Sequence, residues 1–262
     1  MSKKLGLVLG AGGSRGVAHV GFLRALDEAG IKPYLVTGSS MGSVVGSCYC
    51  AGLSTTFMQE EILKLKMSDL FDLSLNPIGN AALLRSKKVY KKLEEYLGDT
   101  TFNQLKIPFN CVSVDILTGQ TVTFLKEEKA LDGVVASCSI PGVFKPFKHG
   151  EQMLVDGGIK CRLPIDLARD MGADVVVAVD VLGEVRPCTK KYNIMSVLLR
   201  TIEIYDSELT KYRLLSEKPD MVLYPDLGDM NQFKFKGIPE AVEKGYELGL
   251  ESVDKIKKLI EE

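Results

Sequence analysis

The stretch Tyr34-Leu35-Val36-Thr37-Gly38-Ser39-Ser40-Met41-Gly42-Ser43-Val44-Val45-Gly46 constrains the chain more than any other. A short apolar run ends in Gly-x-Ser-x-Gly and passes into small, helix-compatible residues, which reads as strand, sharp turn, helix. A Cβ at Gly38 or Gly42 would collide with neighbouring backbone in so tight a turn. The serine between them is held with its Oγ above the sheet, so Ser40 is a candidate nucleophile. The helix that follows begins with unpaired N–H groups and a positive dipole end, which favour an oxyanion there. Five small residues also suit an ordinary strand-to-helix loop, and the rest of the chain has to decide between the two readings.

A second glycine-rich loop points to the same place. Leu5-Gly6-Leu7-Val8-Leu9 reads as a buried strand emptying into Gly10-Ala11-Gly12-Gly13-Ser14-Arg15-Gly16, ahead of a helical pattern over 17–29. The dinucleotide fingerprint fits poorly, because Arg15 stands where its third glycine belongs and no acidic residue ends the next strand. A phosphate loop fails for want of Gly-Lys-Ser/Thr. What remains is a loop whose bare N–H groups face the crevice that holds Ser40, since neighbouring parallel strands end side by side. Gly12 and Gly13 are then candidate oxyanion donors, and Arg15 is a charge that could steady the loop or meet an anionic head group.

The remaining pattern alternates strands with helices, which implies mostly parallel pairing with helices on the sheet faces. Helices are expected over 54–65, 86–97, 131–138, 163–171, 192–215 and 239–260, and strands over 107–115, 121–125, 152–155, 174–181 and 221–224. Residues 67–85 are the least periodic, apolar at Leu70, Phe71, Leu73, Leu75, Ile78, Leu83 and Leu84. That segment is either irregular core or a lid touching acyl chains or membrane. The 262 residues suffice for one large core, read as a single domain over 1–262.

Composition bounds the partners. A net charge of −1 leaves no electrostatic footprint for nucleic acid. Cys48, Cys50, Cys111, Cys138, Cys161 and Cys188 lie in apolar or small-residue runs without C-x-x-C pairing, as reduced buried thiols do. The first apolar run is too short for a signal-peptide core, and no 18-residue apolar window exists. A cytoplasmic location is expected, with peripheral membrane contact left open.

A serine hydroxyl needs a base, and the sequence offers only two histidines, His19 and His149. The alpha/beta-hydrolase order of nucleophile, acid, histidine requires a histidine after the acid, and none follows Asp156. His19 falls inside the first helix, where packing or capping is the commoner use. His149 sits in the turn-rich run 144–150. Asp156 is the better candidate: it ends an apolar strand, and Gly157 and Gly158 allow another backbone to approach closely. Asp-Gly is also a common turn pair. To act as base near neutrality, the aspartate needs its pKa raised by burial.

Three elements thus stand in order: Gly12-Gly13-Ser14-Arg15-Gly16, Gly38-Ser39-Ser40-Met41-Gly42 and Asp156-Gly157-Gly158. Together they resemble the patatin-like phospholipase family, in particular its small bacterial members. The similarity runs over about residues 5–182 and takes in 136–144 and 163–169; the last 80 residues carry no motif of the family. The resemblance implies an α/β fold, a three-layer α/β/α sandwich with a mostly parallel central sheet. It also implies a Ser–Asp dyad without histidine, acting on lipid or acyl-ester substrates, with no cofactor and no catalytic metal. By position, Ser40 is the nucleophile and Asp156 the base. Gly12, Gly13, Arg15 and Gly16 form the oxyanion loop, Gly38 and Gly42 flank the nucleophile, and Gly157 and Gly158 complete the second motif. The rival readings are an acyltransferase, a lipid-binding regulatory module of low activity, and a nucleotide-binding Rossmann protein.

Overall fold

The computed structural model describes residues 2–64, 72–73, 84–85, 87–185, 187, 193–232 and 236–261. The first half comprises β1 (Leu5–Leu9), α1 (Ala18–Glu28), β2 (Leu35–Ser39), α2 (Met41–Ala51), α3 (Thr55–Lys64), β3 (Asp72–Leu73), β4 (Leu84–Arg85), α4 (Lys87–Leu97), β5 (Phe109–Asp115) and β6 (Thr121–Val122). Then come α5 (Ala130–Ser137), β7 (Phe147–His149), β8 (Gln152–Asp156), α6 (Ile165–Asp170), β9 (Val175–Val179), α7 (Ile194–Glu217), β10 (Met221–Leu223) and α8 (Ile238–Glu261).

The main sheet has the order β10-β9-β1-β2-β5-β8-β7, with β6 on β5. From β10 to β5 all neighbours are parallel, while β6 and β8 run antiparallel to β5 and β7 antiparallel to β8. The fold is therefore α/β around a mixed, mostly parallel sheet. Its strands β1 and β9 are buried on both faces, which is why they read as apolar runs. On β1, Leu5, Leu7 and Leu9 join the large core built with α1, α2, α5 and α8. Val8 points the other way, to Leu163 and Ile165 at α6 and, on β9, Val176 and Ala178. Helices thus cover both faces, as the period-two alternation of a doubly covered sheet requires.

The expected elements correspond closely to the observed ones, with one exception near the site. The run 144–150 was expected to be irregular, but Phe147–His149 forms β7, paired with β8. Ser54 caps α3 as expected, its Oγ accepting from the Phe57 N–H at 3.2 Å. Of residues 67–85 only 72–73 and 84–85 are described, and they pair as a short antiparallel ladder. Most of that segment, read as either irregular core or a lid, and the expected thiol at Cys188 lie outside the described residues. The other five cysteines are free, four of them buried and Cys138 partly so. Among the described residues no helix is long and apolar enough to cross a membrane.

Candidate active site

Parallel pairing sets the ends of β1 and β2 side by side, with Leu9 opposite Gly38. The glycine loop after β1 and the serine turn after β2 therefore open at the same edge of the sheet. Ser40 is the residue between β2 and α2, at φ 51°, ψ −123°. A positive φ costs a non-glycine residue energy and persists only where the surroundings impose it. Here they do: a Cβ on Gly42 would lie 2.0 Å from the Leu9 carbonyl oxygen, and one on Gly38 2.7 Å from that of Gly42. Ser40 is held further by the Ser43 hydroxyl, which donates to its carbonyl at 2.6 Å.

Asp156 reaches Ser40 by a route that strand counting does not reveal. β5 continues past the end of β2, whose last residue, Ser39, lies opposite Val112. β8 returns antiparallel along that overhang and ends with Asp156 opposite Ser113, one residue beyond Val112. An antiparallel strand thereby delivers its last residue to the edge where the parallel strands end. A Cβ on Gly157 would lie 2.3 Å from the Val112 carbonyl oxygen, so the backbones touch there and only glycine fits.

The Ser40 Oγ donates to Asp156 Oδ2 at 2.5 Å. The other carboxylate oxygen, Oδ1, accepts from the Gly158 N–H at 2.7 Å. Both residues are 5% exposed. Burial pushes the Asp156 carboxyl up to about 7, against the opposing pull of the Ser40 and Gly158 hydrogen bonds and with a smaller upward push from Asp206. An aspartate so placed is a competent proton acceptor near neutrality.

A cavity of about 80 Å³ opens on this pair. Gly12 and Gly13 line it, and among the described residues neither of their N–H groups has a hydrogen-bond acceptor, whereas those of Ala11 and Ser14 are taken by the Arg162 and Gln232 carbonyls. Side chains are excluded from the loop: a Cβ on Gly12 would lie 2.2 Å from Val181 Cγ2, and Gly13 has φ +53° with the Gln232 carbonyl 2.3 Å from its Cβ position. Arg15 and Gly16 do not line the cavity. Both belong to the 3-10 turn Gly13–Val17, with Gly16 packed on Met41.

Neither histidine lines this cavity, and each has its own partner elsewhere. His19 is buried and donates from Nε2 to the Gly10 carbonyl at 2.9 Å, and desolvation pulls it down to about 4. His149, at the end of β7, bonds Glu128 at 2.8 Å and meets the Phe124 ring edge-on. Among the described residues no group of three or more His, Cys, Asp or Glu side chains is placed to hold a metal ion.

Residues without an expected role complete the site. The Ser137 hydroxyl accepts from the Ser40 N–H at 3.0 Å, and the Ser139 carbonyl accepts from the Asp156 N–H at 3.0 Å. The end of α5 therefore ties both partners together. The only sequence signal was its inclusion in the family-like segment 136–144. The opposite wall comes from α7, which contributes Leu199, Ile202, Glu203 and Asp206. That helix lies in the part of the chain without motifs.

The chain is similar to several known proteins in sequence and in fold. A family model described as patatin-like phospholipase matches residues 7–169. An uncharacterized NTE family protein of Mycobacterium bovis is 35% identical over 185 residues, covering 70% of this chain and 50% of that protein. A lysophospholipase of Coccidioides immitis is 30% identical over 182 residues, covering 68% of this chain and 12% of that one. The chain thus spans half or less of the length of these curated relatives. Among solved structures, VipD from Legionella pneumophila superposes with a TM-score of 0.56 at 13% identity, over 97% of this chain and 67% of that one, a likeness of fold.

Proposed function

The chain belongs to the patatin-like phospholipase family, and on that premise we propose that it is a serine lipid acyl hydrolase working through a Ser40–Asp156 dyad and an acyl-enzyme. Ionised Asp156 takes the Ser40 hydroxyl proton as Oγ bonds to the ester carbonyl carbon. The carbonyl electron pair moves onto oxygen, and the Gly12 and Gly13 N–H groups hold the resulting oxyanion. Such a donor is worth about 10²- to 10³-fold in rate. When the adduct collapses, the bond to the alcohol oxygen breaks and Asp156 returns its proton to that oxygen, releasing an alcohol or lysolipid. Water then gives a proton to Asp156 and attacks the acyl-enzyme, and Ser40 leaves with the proton restored.

The observation that carries this reading is the 2.5 Å bond from Ser40 to a carboxyl whose pKa burial raises to about 7. A structural serine gains nothing from a strained backbone and a desolvated carboxylate partner. The test is release of free fatty acid from lysophosphatidylcholine micelles by the wild-type chain, Ser40→Ala and Asp156→Asn. Release by the wild type, lowered about 10³-fold or more in each variant, is expected. Substantial release by either variant removes that residue from the dyad. Acyl groups found on an added alcohol instead of as fatty acid would reassign the second step to transfer.

A further inference from the structure

We propose that α7 is a cover over the Ser40–Asp156 pair that docks on a zwitterionic lipid surface through its outward face, with the Arg162–Asp206 ion pair holding it shut until that surface is met. The proposal rests on the lipid-hydrolase reading above.

In α7 the most buried described residues are polar and a row of large apolar ones faces out. A surface helix ordinarily turns its apolar stripe inward and its polar residues to water. In α7, Asp206, Ser207 and Thr210 are buried against the protein, while Ile194 (83% exposed), Leu198 (53%), Tyr205 (73%), Leu209 (37%) and Tyr212 (68%) face out. Their spacing of four, seven, four and three residues sets them in one stripe along the helix. So large an exposed apolar row marks an interaction site.

The occupant follows from where the row sits and from its charge. It is the back of the helix that walls the cavity, so whatever takes up the row lies against the entrance to a site for lipid esters. Beside it the exposed Lys211 and Glu208 neutralise each other at 2.9 Å, which suits uncharged contact with a zwitterionic surface. Tyrosines, apolar in body and polar at the tip, suit the boundary between head groups and acyl chains.

The cavity also requires a wall to move. At about 80 Å³ it is well below the roughly 300–1,000 Å³ of pockets that enclose drug-sized ligands, and a long acyl chain does not fit. The strand side is fixed by main-chain bonds, Gly10 N–H to the Val179 carbonyl and Ala11 N–H to that of Arg162. The α7 side is held at the site by a side-chain clasp. Arg162, 2% exposed, reaches Asp206 Oδ2 through Nε at 2.7 Å and Nη2 at 2.6 Å, and its Nη1 reaches Asp180 Oδ2 at 3.1 Å and the Gly183 carbonyl at 2.8 Å. Buried ion pairs add little net stability, and their best-attested use is as a switch or registry device.

The experiment has two readouts. Sedimentation of Ser40→Ala with phosphatidylcholine vesicles measures docking without catalysis, and the rate at which a fluorophosphonate labels Ser40 in the otherwise wild-type chain measures access. Vesicle binding is expected, with labelling accelerated tenfold or more by vesicles. The triple variant Leu198→Asp, Tyr205→Asp, Tyr212→Asp loses both effects but keeps the vesicle-free labelling rate, and Asp206→Asn labels fast without vesicles. Labelling indifferent to vesicles, vesicle binding unchanged by the triple variant, or self-association that occupies the row and excludes vesicles would each overturn the proposal. Failure of the hydrolase reading looks different: Ser40 stays unlabelled under every condition while vesicle sedimentation is still measured.

Discussion

Ser40 and Asp156, 116 positions apart in the chain, meet in a 2.5 Å hydrogen bond because β8 runs back along the overhang of β5. The contact closes a pocket edge that parallel strands alone would leave open. It also places a carboxylate in a desolvated site, and the consequences of that placement are measurable.

The first concerns rate against pH. The base must be ionised to accept the Ser40 proton, and burial raises Asp156 to about 7. The rate of ester hydrolysis is expected to rise with pH through about 7 and to level above it. A pH–rate profile of kcat/KM checks this; a rate already level at pH 5 would mean that the base titrates like an ordinary aspartate.

The second concerns stability. The folded pKa of Asp156 lies above its unfolded value near 4, so the folded chain holds the extra proton between about pH 4 and 7. Stability is lost as pH rises through that window, and the cost of the buried carboxylate is complete above it. Asp156→Asn removes that cost. It is expected to melt several degrees above the wild type at pH 8, with the gap closing toward pH 4. Thermal melts at the two pH values decide it.

Ser137 provides a third test. Its hydroxyl accepts the Ser40 N–H, so Ser137→Ala leaves a buried donor unsatisfied beside a residue already at φ 51°. A lost partner of this kind costs about 1–3 kcal/mol, and the nucleophile is the group it displaces. A fall of about tenfold in kcat with KM little changed is expected from steady-state kinetics.

His149→Gln makes the complementary case. Its partner is Glu128 and its ring neighbour Phe124, both outside the cavity lining. Activity and pH profile are expected to stay within about twofold of wild type, as for a surface change away from special features. Loss of activity would reopen a histidine-based mechanism.

How much of this was legible beforehand differs by residue. Gly38, Ser40 and Gly42 could be read because steric exclusion of a Cβ acts within five residues. The two-sided burial of β1 and β9 left an equally local trace in their apolar runs. The antiparallel direction of β8 left none, since it depends on β5 outrunning β2 by three residues. Arg162 looked like any other basic residue, because its partners Asp180 and Asp206 lie 18 and 44 positions away. A helix over 192–215 was expected, but an amphipathic pattern tells which residues share a face, and only the fold tells which face turns inward. The apolarity of 67–85 alone could not tell a lid from irregular core, and among the described residues one wall of the site comes from α7.

The central claim is that Ser40 is a nucleophile activated by Asp156. Its most direct test is intact-mass analysis and peptide mapping after treatment with a fluorophosphonate in the presence of phosphatidylcholine vesicles. The account predicts a single adduct on the peptide containing Ser40, lost in Asp156→Asn while that variant remains folded. An adduct at another residue, undiminished labelling in Asp156→Asn, or no adduct on the folded wild-type chain would contradict it.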